Sequence, residues 1–129
     1  MLGHAPVMAI VPAADIEEAR RFYEEKLGLE RAEISTPGSD LAFNCGEGTK
    51  LYVYERPAGS KAEHTVAGWI VEDVEATVER MLENGIVFEH YDMPNLKTDE
   101  RGIAELGGTK GAWFKDPEGN ILSVTEVPA

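Results

Sequence analysis

Two stretches of this chain are variants of one pattern. Residues 11–29 read VPAADIEEARRFYEEKLGL, and residues 71–86 read VEDVEATVERMLENGI. Each passes from an apolar strand end to an Asp, then to an acidic amphipathic helix, then to a Gly followed by an apolar residue. Asp15 matches Asp73, and Gly28 matches Gly85. Two related halves within 129 residues constrain the fold to a duplication, with a functional site expected between the halves.

The local signals divide the chain in the same way. In the first half, residues 6–11 read as a strand. Asp15 is a helix N-cap with Glu18 three residues on, the spacing of a capping box. Ile16, Ala19, Phe22, Tyr23 and Leu27 recur at helical spacing, and Gly28 stops the helix in a left-handed conformation that costs glycine nothing. Strands are expected over 29–34, 41–45 and 51–55, with turns at 36–39 and 46–48. Residues 56–63 have linker composition. The second half repeats the order: a strand over 65–71, a helix opened by Asp73 with Val74, Val78, Met81 and Leu82 on one face, and a stop at Asn84-Gly85. A strand over 86–91 follows, then an irregular segment over 93–108, a length usually functional or mobile. Strands over 110–115 and 121–127 flank the turn at 116–120. Each half therefore reads βαβββ. The expected class is α+β: a single domain over 1–129, with one module over 1–60 and a second over 61–129. Each helix needs a sheet to cover its apolar face. The other sheet faces are then expected to curl into a shared cup, with the helices on the convex side.

Composition narrows the function classes. Hydrophobic residues make up 43% of the chain, enough for a core. No apolar run approaches membrane-span length, and no basic-then-apolar leader is visible. A cytoplasmic protein is therefore expected, and the single cysteine, Cys45, permits no internal disulfide and fits a reducing compartment. Twelve basic against 24 acidic residues leave a formal charge of −12. That argues against nucleic acid, which needs clustered Lys and Arg, and disfavours an anionic membrane surface. It favours a cationic ligand, or serves solubility alone.

Two segments carry a family resemblance: DIEEARRFYEEKLGL at 15–29 and WFKDPEGNILSV at 113–124. They resemble the helix and the F-x-DP-[DE]-GN hairpin of the vicinal oxygen chelate superfamily, which includes glyoxalase I, bleomycin-resistance proteins and extradiol dioxygenases. Both motifs are structural, so they speak for fold rather than activity. The resemblance implies a divalent metal in the cup, held by the first and last strands of each half, and frequent assembly as a homodimer. The implied ligand positions fall on Met8, seven residues before Asp15, on Val66, on Ser123, seven residues after Asp116, and on Tyr52, with Tyr54 next on the same strand face. A divalent ion needs carboxylate oxygens or imidazole nitrogens. Thioether, aliphatic and hydroxyl groups stand there instead. The expectation is a branch with no metal and no cofactor, whose cup is apolar with a few polar groups, as suits an organic ligand.

The remaining candidates divide between function and plain structure. Tyr52 and Tyr54 either stack on a ligand and donate phenolic hydrogen bonds, or pack across strands. Trp113 faces the cup if Phe114 lies under the helix, and Trp69 by parity belongs to the helix side. Gly68 either leaves room in the cup or lets its strand bend. Asp92 and Met93 open the long segment, as a cation partner and a lid residue or as ordinary surface. His4, His64 and Glu55 allow a shifted metal site to be drawn, but no paired-histidine spacing supports it. The leading expectation is a metal-independent binder of a small organic molecule, using Met8, Tyr52, Tyr54, Val66, Gly68, Asp92, Met93, Trp113 and Ser123. The alternatives are a glyoxalase-like lyase, isomerase, epimerase or dioxygenase, using a metal or acid–base chemistry from Tyr52, His64 or His90, and a module whose cup holds only protein.

Overall fold

The computed structural model describes residues 1–33 and 40–127. The turn expected at 36–39 lies outside the described residues. The chain forms two compact units, Met1–Lys61 and Ala62–Ala129.

The first unit contains β1 (Met8–Ala13), α1 (Ile16–Arg21), β2 (Glu30–Arg31), β3 (Leu41–Asn44) and β4 (Lys50–Glu55). Its sheet has the order β1-β4-β3-β2. The β1–β4 pair is parallel, and the other pairs are antiparallel. Asp15 caps α1 as its sequence position indicates, accepting from the Glu18 N–H at 3.1 Å. The helix then widens into a π turn at Phe22–Lys26, closed by the Leu27 N–H donating to the Phe22 carbonyl. Gly28 follows at φ +70°. Gly28 stands one residue farther from Asp15 than Gly85 does from Asp73. A wider turn is how a helix absorbs one extra residue without losing its alignment. Phe22 and Tyr23 are both buried, and Tyr23 meets Phe43 of β3 at 5.7 Å between ring centroids. Phe43, Leu51, Val53, Val11 and Ala13 form the buried face under the helix.

The second unit repeats the plan with β5 (Thr65–Ile70), α2 (Val74–Glu83), β8 (Ile103–Leu106), β9 (Thr109–Lys115) and β10 (Ile121–Glu126), in the sheet order β5-β10-β9-β8. Asp73 caps α2 by accepting from the Ala76 N–H, and Glu126 of β10 accepts from the Val74 N–H at 2.9 Å. The core is Val74, Val78, Ile86, Phe88, Ile103, Ala112, Phe114, Leu122 and Val124. Phe114 lies between Phe88 at 5.8 Å and Trp69 at 6.4 Å, so Trp69 belongs to the helix side as parity requires.

One stretch departs from the sequence reading. Residues 86–91 contribute a single bridge, Phe88 with Phe114, rather than a strand. The fourth strand of this sheet is β8, inside the segment expected to be irregular. The same segment also holds a small ribbon of β6 (Asp92–Met93) and β7 (Leu96–Lys97). Burial explains the choice. Ile103 and Ala104 are buried, whereas Val87 is exposed and breaks the apolar pattern that 86–91 suggested. Among the described residues no helix is long and apolar enough to cross a membrane.

Candidate functional site

Each sheet has a face without a helix, and the expected site residues sort onto these faces. In the first unit, Leu51 and Val53 are buried toward the helix, so Tyr52 and Tyr54 point to the opposite face. The parallel register sets Met8 beside Lys50, Ile10 beside Tyr52 and Pro12 beside Tyr54. Met8 and Ile10 are 41% and 55% exposed, which leaves an apolar stripe next to the tyrosines. Ala42, paired with Tyr52 from β3, completes the row.

Tyr52 is held from outside its own strand. Its phenol donates to Asp40 Oδ2 at 2.8 Å, and Asp40 Oδ1 accepts from the Glu55 N–H at 3.1 Å. Asp40 immediately precedes β3, where its side chain caps the end of the β3–β4 ladder. A phenol has one proton. The expected hydrogen bond from Tyr52 to a ligand is therefore replaced by a bond to this carboxylate. Lys50, the cation of the same face, lies at the other end of β4 and donates to Asn44 Oδ1 at 2.9 Å.

In the second unit the helix-free face is built largely from small residues. Gly68, Ser123 and Trp113 form one row across β5, β10 and β9. A Cβ on Gly68 would collide with Ser123 Oγ, so the glycine makes room for that hydroxyl. Ser123 is only 8% exposed. The Trp113 indole lies over Gly111, 3.6 Å from where a Cβ would stand there. Tyr91 meets Trp113 edge-on, with centroids 5.8 Å apart and planes at 77°. Burial pushes the Tyr91 phenol above its ordinary range, and the nearby Glu89 carboxylate adds to this against a smaller opposing pull from Lys115. Val66 is the extra residue at a register shift between β5 and β10, where Thr65 pairs with Ile121 and Ala67 with Leu122. It is the bulged residue of its strand.

The other expected residues lie further out. Asp92 is 92% exposed, with Lys97 Nζ at 4.0 Å, so water screens its charge. Met93 is exposed on the same ribbon. The ribbon is anchored by the Thr98 N–H to the Tyr91 carbonyl and by the Tyr91 N–H to Thr98 Oγ1. His4, His64 and His90 are all exposed. Among the described residues no group of three or more His, Cys, Asp or Glu is placed to hold a metal ion.

The four implied ligand positions do not fit a divalent ion. Met8 offers a thioether, Val66 nothing, and Ser123 a neutral hydroxyl beside Gly68. Tyr52 offers a phenol whose proton is bonded to Asp40. Asp40 and Tyr91 are the residues that sequence reasoning missed. Asp40 follows residues expected as a turn and carried no periodic signal, while Tyr91 read as the end of a strand.

The profile of the glyoxalase/bleomycin resistance protein/dioxygenase superfamily matches residues 4–124. Among curated proteins none matches the chain. Among solved structures, a glyoxalase/bleomycin resistance protein from Catenulispora acidiphila is 26% identical, with TM-score 0.65, over 95% of this chain and 98% of that one. A lactoylglutathione lyase from Agrobacterium tumefaciens is 23% identical, with TM-score 0.67, over 96% and 95%. TnmS3, an antibiotic binding protein from Streptomyces sp. CB03234, is 21% identical, with TM-score 0.65, over 97% and 98%.

Proposed function

This chain belongs to the glyoxalase/bleomycin resistance protein/dioxygenase superfamily, and from that premise we propose that it binds a small organic molecule without using a metal. The fold serves a lyase and an antibiotic binder alike, so the side chains must decide. The observation that carries the reading is the exchange of coordinating groups at Met8, Tyr52, Val66 and Ser123, on sheets whose helix-free faces bear aromatic and apolar side chains. Met8, Ile10, Tyr52 and Tyr54 supply one such surface, and Trp113 with Tyr91 another. Ser123 adds a hydroxyl, and Gly68 the room for it. Burial of a ligand's apolar area against these groups contributes most of the affinity, at about 25 cal/mol per Å² before ordering costs. Asp92 and Met93 are peripheral members of this site.

The test is a thermal-shift screen with a library of aromatic and cationic small molecules. A ligand at one hundred times its Kd stabilises the folded state by about 2.7 kcal/mol, which is read as a rise in Tm. No hit across such a library counts against the proposal. A second reading, a lyase or isomerase using acid–base chemistry at Tyr52, is favoured by its carboxylate partner Asp40. Under the first reading, protein purified without chelator carries no stoichiometric nickel, zinc, iron or manganese by elemental analysis. Finding one overturns it. We also propose a homodimer in the cytoplasm, as the family resemblance and the single cysteine suggest. Light scattering at twice the chain mass tests the assembly.

A further inference from the structure

We propose that Asp40, acting with Tyr52, makes the helix-free face of the first unit selective for a small organic cation, a protonated amine beside an aromatic or apolar body. The inference rests on the small-molecule reading above and deepens it. Asp40 belongs to none of the positions that the family resemblance implies. It enters through the fold, because its carboxylate closes the end of the β3–β4 ladder and holds the Tyr52 phenol. Strand alternation from Ala42 puts Asp40 on the same face as Tyr52 and Tyr54, and the Leu41–Val53 pair sets it opposite Tyr54.

Two physical consequences follow. With the phenolic proton directed to Asp40, Tyr52 meets a ligand through its ring face, which attracts positive charge. Asp40 itself is half-buried, so its charge is less screened than that of a fully exposed carboxylate such as Asp92. Lys50, two residues before Tyr52 on this face, is bonded to Asn44 at the far end of the strand. The chain's formal charge of −12 adds long-range attraction in the same direction. An anionic ligand meets the opposite of each effect.

The arrangement can be inverted by one atom. In Asp40→Asn the Glu55 N–H still needs an acceptor, so the amide oxygen takes that bond and Nδ2 turns to Tyr52. The amide then donates to the phenol oxygen, and the phenolic proton is released toward the ligand. The probes are tryptamine, tryptophol and indole-3-propionate, which share one ring and differ in the terminal group, measured by calorimetry at low and high salt. The wild type is expected to bind tryptamine about tenfold more tightly than tryptophol, and indole-3-propionate least, with the gap narrowing at high salt. Asp40→Asn reverses the order of tryptamine and indole-3-propionate. Tyr52→Phe keeps the carboxylate, so it retains the cation preference at reduced affinity. It decides the matter if circular dichroism finds Asp40→Asn unfolded. Equal affinities in the wild type, an unchanged order in Asp40→Asn, or a lost preference in Tyr52→Phe overturns the assignment and leaves small-molecule binding standing. Binding of none of the three probes also overturns it, and the wider library screen then judges the reading beneath it.

Discussion

In the first half the helix is regular for six residues, Ile16–Arg21, before it widens at Phe22–Lys26; in the second half it runs unbroken over Val74–Glu83. Both helices start on an Asp that accepts a backbone N–H three residues on, and both stop at a glycine with positive φ. The difference is the extra residue between cap and stop in the first half. There two consecutive aromatics, Phe22 and Tyr23, meet edge-on at 5.2 Å and are both buried. The second half needs no widening, since Val74 and Val78, one turn apart, are buried with the Phe88–Phe114–Trp69 ring series on the sheet beneath. One plan thus tolerates two core solutions, because the cap and the stop fix the helix ends while the turns between them adapt.

The helix-free faces differ more. The first half leaves Met8 and Ile10 exposed beside polar tyrosine tips, whereas the second keeps Ser123, Gly111 and Ala104 covered and sets Trp113 against Tyr91. Substitutions on the second face should therefore disturb packing, and those at Met8 and Ile10 on the first should disturb only what binds there.

The largest effect is expected in the cores. Phe114→Ala and Phe43→Ala should each lower the unfolding free energy by about 3–5 kcal/mol, measured by urea denaturation. Phe114→Ala should be at least as costly, because that ring packs against both Phe88 and Trp69, while Phe43 packs against Tyr23. A clearly larger loss at Phe43 would reverse the comparison. Next comes Gly68→Ala. The added methyl overlaps Ser123 Oγ, and overpacking of this kind costs about 1–3 kcal/mol. An unchanged denaturation midpoint would mean that the hydroxyl simply rotates away and that the second face is as loose as the first.

A smaller, pH-dependent effect is expected at Asp99. Burial raises its carboxyl, but N–H donors from Ile103, Arg101 and Gly102 and the Arg101 charge together outweigh this and hold it below the ordinary value. A depressed carboxyl contributes stability that is present above the unfolded-state pKa, about 3.9, and is lost as pH falls through the lower folded-state value. Asp99→Asn should therefore be less stable than the wild type at neutral pH, and the gap should close in acid. Denaturation curves at pH 7 and near pH 2 measure it, and a gap of constant size would assign the loss to packing instead. Smallest of all, Met8→Ser or Ile10→Ser should change stability by no more than about 0.5 kcal/mol while weakening any ligand found in the screen. A destabilisation comparable to Gly68→Ala would show that this stripe is covered in the folded protein.

Much of the fold was legible in the chain itself. The duplicated cap-helix-stop pattern located both helices, and period-two alternation located β1, β3, β4, β5, β9 and β10 to within a residue or two. Alternation also assigned Trp69 and Trp113 to opposite faces correctly. The fourth strand of the second half was misplaced because Ile103–Leu106 is short and its flanks look like loop, while 86–91 carries apolar residues that a single bridge satisfies. The candidate site remains a proposal, and its members differ in how they could be reached from the sequence. Counting from Asp15 and Asp116 pointed to Met8 and Ser123 as candidates, but nothing in the order of residues joined Asp40 to Tyr52 or Tyr91 to Trp113.

What the sequence alone determined is local: where helices begin and end, and which side chains share a strand face. These follow from the geometry of the helix and the strand, which each short segment carries within itself. Only the tertiary structure decided which distant groups meet. The phenol of Tyr52 donates to Asp40, Ser123 takes the space above Gly68, and Tyr91 comes to rest on Trp113. Those meetings depend on strand register, and register is set by the whole sheet rather than by any one strand.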